Sequence, residues 1–127
     1  MSTEPTSDAD ISGSIERWKA VFGLGEYRTF LSDKPLKRKA SGHVRVEAEY
    51  LRATFRIAPD LSGKELEETV SHEMAHVFLG EFAQWANTVL EYVDKRERDP
   101  LFDGWDLAWE RSTERLARLV RKLHERD

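Results

Sequence analysis

The stretch from Ser62 to Gly80, SGKELEETVSHEMAHVFLG, decides the fold. Ser62 followed by Glu65 is a capping box: the serine oxygen accepts a free backbone N–H of the first turn, and the glutamate reaches back towards it. A helix is predicted from there to about Gly80, glycine being the usual residue just past a helix C-terminus. His72 and His76 lie one turn apart within it, so both imidazoles share a face and can hold one metal ion. Glu73 falls beside that line. Its carboxylate is placed to take a proton from an attacking water rather than to bind the ion.

Upstream, Tyr27 to Leu31 reads as a short strand and residues 32–42 as a turn-rich basic loop. Val44, Val46, Ala48 and Tyr50 then alternate with Arg45, Glu47 and Glu49. The alternation resumes out of phase, with Leu51, Ala53, Phe55 and Ile57 opposed to Arg52, Thr54 and Arg56. A phase change between Tyr50 and Leu51 predicts a bulge or tight turn between two antiparallel strands, the second ended by Pro59. Before them, Ile15, Trp18, Val21 and Phe22 form the stripe of a short helix stopped by Gly23 and Gly25.

Downstream, a helix is predicted over roughly 82–97, with Phe82, Trp85, Val89 and Val93 as its inner stripe. Asp99-Pro100 and Asp103-Gly104 mark a loop. A last helix follows over roughly 105–124, burying Trp109, Leu116, Leu119, Val120 and Leu123. The expected organisation is a disordered N-terminal tail over 1–10 and a single domain over 11–127.

Composition narrows the chemistry. The 127 residues are 39% hydrophobic and 35% charged, with net charge −4 and no cysteine. Thiolate zinc sites, disulfides and thiol nucleophiles are excluded, so any metal must be held by imidazole nitrogen and carboxylate oxygen. Lysine and arginine are scattered along the sequence, which predicts no nucleic-acid partner. The absence of a signal-like start or a long apolar run predicts a cytoplasmic protein with no membrane association.

Two histidines leave a catalytic zinc short of one protein ligand. A third histidine at the metzincin spacing is absent: position 82 is Phe82, and Leu79 stands where that pattern has glycine. The third ligand is therefore expected to be a carboxylate on a later helix. Glu110 and Glu114 lead, one turn apart and on one face, so that one can bind the ion while the other orients a ligating histidine. Glu81, Glu91 and Asp94 are weaker candidates. For stabilising a developing oxyanion, Tyr50, Tyr92, His43 and His124 are all available and none is singled out.

Residues 65–82, ELEETVSHEMAHVFLGEF, with Trp109-Glu110-Arg111-Ser112-Thr113-Glu114-Arg115-Leu116-Ala117, resemble the gluzincin metallopeptidases. The chain looks most like minimal, phage- or prophage-type members, and is distantly similar to the repressor-cleaving metallopeptidases of mobile elements. Phe22 to Tyr27 and the strand ending Ala53-Thr54-Phe55-Arg56-Ile57 share that look, so the resemblance covers roughly 15–120. In gluzincins the third ligand is a glutamate, often with an acidic residue four positions on. In the repressor-cleaving relatives, small and apolar residues follow that glutamate at offsets three, six and seven, and Thr113, Leu116 and Ala117 match those offsets from Glu110. The resemblance thus implies Glu110 as ligand, Glu114 behind a histidine, Zn2+ as cofactor, and a peptide or protein substrate. It also implies an edge strand beside the active-site helix that pairs with extended substrate, a role expected of Leu51 to Ala58.

The expected fold is α+β: a small twisted, mostly antiparallel sheet packed on the HExxH helix and on a C-terminal ligand-bearing helix, a minimal zincin-like arrangement. The expected function is zinc-dependent peptide hydrolysis with Glu73 as general base. Two other readings fit the same residues: a regulatory or scaffold protein that binds metal without productive proteolysis, and a zinc hydrolase of a non-peptide amide.

Overall fold

The structure, a computed structural model, describes residues 7–37 and 40–125. Its elements are α1 (Asp8–Val21), β1 (Arg28–Leu31), β2 (Gly42–Glu47), a 3-10 turn (Ala48–Tyr50), β3 (Arg52–Ile57), α2 (Gly63–Phe78), α3 (Gly80–Glu91) and α4 (Lys95–Glu125). Helix α1 begins inside the segment expected to be a tail, because Ser7 caps it by accepting from the Asp10 N–H. Residues 1–6 of that expected tail lie outside the described residues.

Ile11, Ser14, Ile15 and Trp18 form the buried stripe of α1. The helix ends in a Schellman motif: Leu24 N–H bonds to Lys19 O, Gly23 N–H bonds to Ala20 O, and Gly23 takes φ +71°. The sheet is mixed, in the order β1-β3-β2. The predicted hairpin of β2 and β3 is antiparallel, joined by the 3-10 turn and by Leu51 in the left-handed region. Strand β1 pairs with β3 in parallel, which corrects the expectation of a mostly antiparallel sheet. The long connection after β1 carries the chain across to the far edge, leaving the slot between β1 and β2 for β3.

Strand β3 is therefore central, with Ala53, Phe55 and Ile57 buried. Both its edges are paired, so it cannot be the edge strand expected to take up substrate. The outer strands are β1 and β2, and the one packed beside α2 is β2. Helix α2 lies on the sheet and also packs against α1 and α4. Leu66, Val70, Met74 and Val77 supply its buried stripe. Its N-terminus is capped as expected: Ser62 accepts from Glu65 N–H, and its hydroxyl donates to the Glu65 carboxylate at 2.7 Å.

The C-terminal half departs from the sequence reading. Gly80 does not end α2 in a left-handed turn; α2 stops at Phe78 and Gly80 opens α3. A side chain there would meet Val46 Cγ1 at 2.7 Å, so this glycine lets α3 approach β2. The expected loop at 99–104 is helical, since α4 runs unbroken through Pro100 and Gly104. Pro100 lies near the start of α4, where it removes one bond to the Arg96 carbonyl. The Arg98 side chain ties the α3–α4 junction instead, donating to Val93 O and Glu91 O. The α3 stripe of Phe82, Trp85 and Val89 faces solvent, as do Leu119 and Leu123 of α4. Ala83, Ala86 and Leu90 are the less exposed side of α3. Among the described residues no helix is long and apolar enough to cross a membrane.

Candidate metal centre

Helix α4 reaches the His72–His76 face of α2 because the side chains between the two helices are small. Thr113 and Ala117, one turn apart, are fully buried there. The close approach brings Glu110 against both imidazoles. His72 Nε2 lies 3.8 Å from Glu110 Oε2, and His76 Nε2 lies 3.6 Å from Glu110 Oε1. One ligand atom from each of the three residues lies within 4.8 Å of the others, and no other such group exists among the described residues.

Each ring is held by its other nitrogen. His72 Nδ1 is 2.5 Å from Glu114 Oε2. An ionised carboxylate can only accept, so Nδ1 donates to Glu114, and Nε2 is the nitrogen that faces Glu110. Burial works to raise the Glu114 carboxyl, but hydrogen bonds with His72 and Arg121 hold it below the usual range. Arg121 donates to Glu114 Oε1 at 3.2 Å and to Ser71 Oγ at 2.8 Å. His76 Nδ1 is 3.4 Å from Thr113 Oγ1, whose own hydrogen goes to Trp109 O at 2.7 Å. That leaves the hydroxyl oxygen to accept from Nδ1 and frees the second Nε2. Burial, with His72 and His43 nearby, lowers His76 to about 4, so this ring is neutral, the form that ligates a metal.

Glu73 is only 8% exposed and opens onto the same cleft as the two histidines. Burial pushes its carboxyl up to about 7, against the opposing pull of His72 and with a further push from Glu110. A dication held nearby would act in the opposite sense. The cleft, about 810 Å³, runs between the free edge of β2 and the polar side of α3, where Gln84, Asn87, Thr88 and Glu91 face it. Gly42 and Gly80 line it at close approaches of backbone to neighbouring side chains. A side chain on Gly42 would meet Thr69 Cγ2 at 2.6 Å and Glu73 Cγ at 3.4 Å.

Of the weaker ligand candidates, Glu91 lines the far end of the cleft, Glu81 is exposed on α3, and the Asp94 carbonyl caps α4; none joins the three-residue group. Of the four side chains considered for an oxyanion, His43 alone lines the cleft. Tyr50 and Tyr92 are exposed, and His124 packs edge-on against Trp18. Sequence reasoning missed Arg121, which sits seven residues past Glu114 and so on the same helical face. It also missed Trp109 as the ring lying over His76, at 5.2 Å between centroids.

His72, His76 and Glu110 form a group that could hold a metal ion. Two imidazole nitrogens and one carboxylate oxygen are a normal complement for Zn2+, and bonds of that kind put neighbouring donors about 3.3 Å apart. The imidazole–carboxylate separations of 3.6 and 3.8 Å lie close to this. No family model, curated protein or solved structure matches the chain.

Proposed function

We propose that this chain is a zinc-dependent metallopeptidase of minimal zincin-like design, cytoplasmic, in which His72, His76 and Glu110 hold the ion and Glu73 is the general base. The observation that carries this reading is the pairing of each Nδ1 with its own acceptor, Glu114 for His72 and Thr113 for His76. Both Nε2 atoms then converge with one carboxylate in an open cleft. Zinc, when bound, supplies a Lewis acid for water and carbonyl.

The rest is done by the protein. Glu73 takes a proton from water and passes it to the departing amine, from a position beside His72 on the same cleft. Glu114 and Thr113 keep the imidazoles in register. The free edge of β2 offers backbone N–H and C=O groups to an extended polypeptide, which lays a substrate strand across the floor with little demand on side chains. This favours peptides over small amides. The regulatory or scaffold reading is disfavoured by Glu73 itself: a purely structural site has no use for a carboxylate buried beside it.

The test is Glu73→Gln. Zinc content stays at about one per chain, while cleavage of a peptide library falls by at least ~10²–10⁴-fold. A wild-type chain that binds zinc and cleaves nothing in the library moves the assignment to the regulatory reading.

A further inference from the structure

Helix α3 carries a seam that nothing among the described residues covers. Phe82, Trp85, Val89 and Tyr92 follow one another at spacings of three, four and three, the pattern by which one helix docks along another. All four are exposed: Phe82 60%, Trp85 63%, Val89 42% and Tyr92 88%. The seam is on the side of α3 away from the cleft, whose wall is Gln84, Asn87, Thr88 and Glu91. Only Glu81 and Glu91 are charged in α3, in a chain that is 35% charged overall. Depletion of charge with enrichment of aromatics marks the centre of a protein interface.

The seam continues onto α4. Phe82 packs on Trp105 at 6.0 Å between centroids, and Leu101, one turn before Trp105, is exposed on the same side of α4. Together these side chains expose on the order of 500–600 Å² of apolar surface, given the sizes of aromatic and aliphatic residues. That is the upper end of a typical monomer's largest patch and roughly two thirds of one partner's share, about 800 Å², of a stable interface.

We infer that a second copy of this chain covers this face, α3 packing antiparallel on its counterpart about a two-fold axis. The seam is self-complementary in that arrangement. Centring the axis near Asn87 sets Trp85 of each copy against Val89 of the other, large against small, and Phe82 against Tyr92. The two α3–α4 hairpins form a four-helix layer, and both clefts stay open on the outside. The inference does not rest on the metal site.

Sedimentation equilibrium on the full chain tests it. The expected mass is about twice 14.8 kDa at micromolar concentration. Trp85→Glu and Val89→Lys each give the single-chain mass with unchanged helical circular dichroism, since both positions are exposed in the single chain. An equimolar mixture of the two variants regains the dimer mass, because the proposed register sets the new charges opposite one another. Leu107→Glu, at an exposed position across α4 from Trp105, leaves the dimer intact. A wild-type chain that stays at the single-chain mass at its highest soluble concentration overturns the inference, and flotation of that monomer with lipid vesicles would assign the face to a membrane. Variants that remain dimeric, or a mixture that stays monomeric, overturn the proposed seam.

Discussion

Two acceptors of unequal strength hold the two imidazoles, and that inequality is measurable. Glu114 is an ionised carboxylate 2.5 Å from His72 Nδ1; Thr113 offers a neutral hydroxyl oxygen 3.4 Å from His76 Nδ1. A charge-assisted bond is roughly twice as strong as a neutral one. Glu114→Ala is therefore expected to weaken zinc binding about 10–100-fold, as loss of a partner behind a ligating histidine does. Thr113→Val, which keeps the buried shape, is expected to cost less. Glu110→Ala removes the proposed carboxylate ligand and should cost more than either. Chelator competition measures all three, and a greater loss from Glu114 than from Glu110 would exchange their roles. His72, Glu73 and His76 were legible because one turn of helix fixes their relation whatever surrounds it. Arg121 was not, because an arginine in a charged helix has no mark that distinguishes it until its partners, Glu114 and Ser71, come together.

Helices and strands are held at their working separations by small residues. Gly80 brings α3 onto Val46, and Ala117 brings α4 onto α2. Gly80→Ala is expected to destabilise the fold by about 1–3 kcal/mol, the usual cost of overpacking, because the clash falls on the branched Val46 side chain rather than on a flexible tip. Ala117→Leu should cost a similar amount, about 1–3 kcal/mol, and should also lower zinc affinity by moving Glu110 away from the histidines. Denaturant unfolding gives the first quantity and zinc titration the second; an Ala117→Leu chain with unchanged affinity would show that α4 is not placed by this contact. The same elements show where sequence reading stops. The capping box at Ser62 and the phase change at Leu51 are local events, and both are found where the residues predicted them. The parallel pairing of β1 depends on a crossing made by a distant loop, which no local pattern records. Pro100 and Gly104 read as a break, yet α4 runs through both, with Trp105 packed on Phe82 and Trp109 just beyond them. Periodicity identified the Phe82–Trp85–Val89 face but could not say what it faces, and in the single chain it faces solvent.

Across the whole molecule, the candidate site joins segments distant in sequence. Its candidate ligands come from α2 and α4, separated in the chain by all of α3, and the two helices also meet through Thr113, Ala117 and the partly buried Leu116 and Val120. An ion held by both would act as a cross-link made only in the folded state, so its binding free energy adds to folding stability. At free zinc a hundred times the dissociation constant the gain is about 2.7 kcal/mol, which for a domain of this size raises the melting temperature on the order of 10 °C. The rise should be accompanied by slower amide exchange along the part of α4 that carries Glu110 and Glu114. Glu73→Gln should keep the full rise, because that carboxylate is not among the ligands. The His72→Ala, His76→Ala double variant should lose it entirely. Thermal melts with and without zinc, at one fixed protein concentration so that self-association does not enter, make the comparison. If the double variant were stabilised as much as the wild type, zinc would be binding elsewhere on a surface rich in carboxylates, and the α2–α4 cross-link would be wrong.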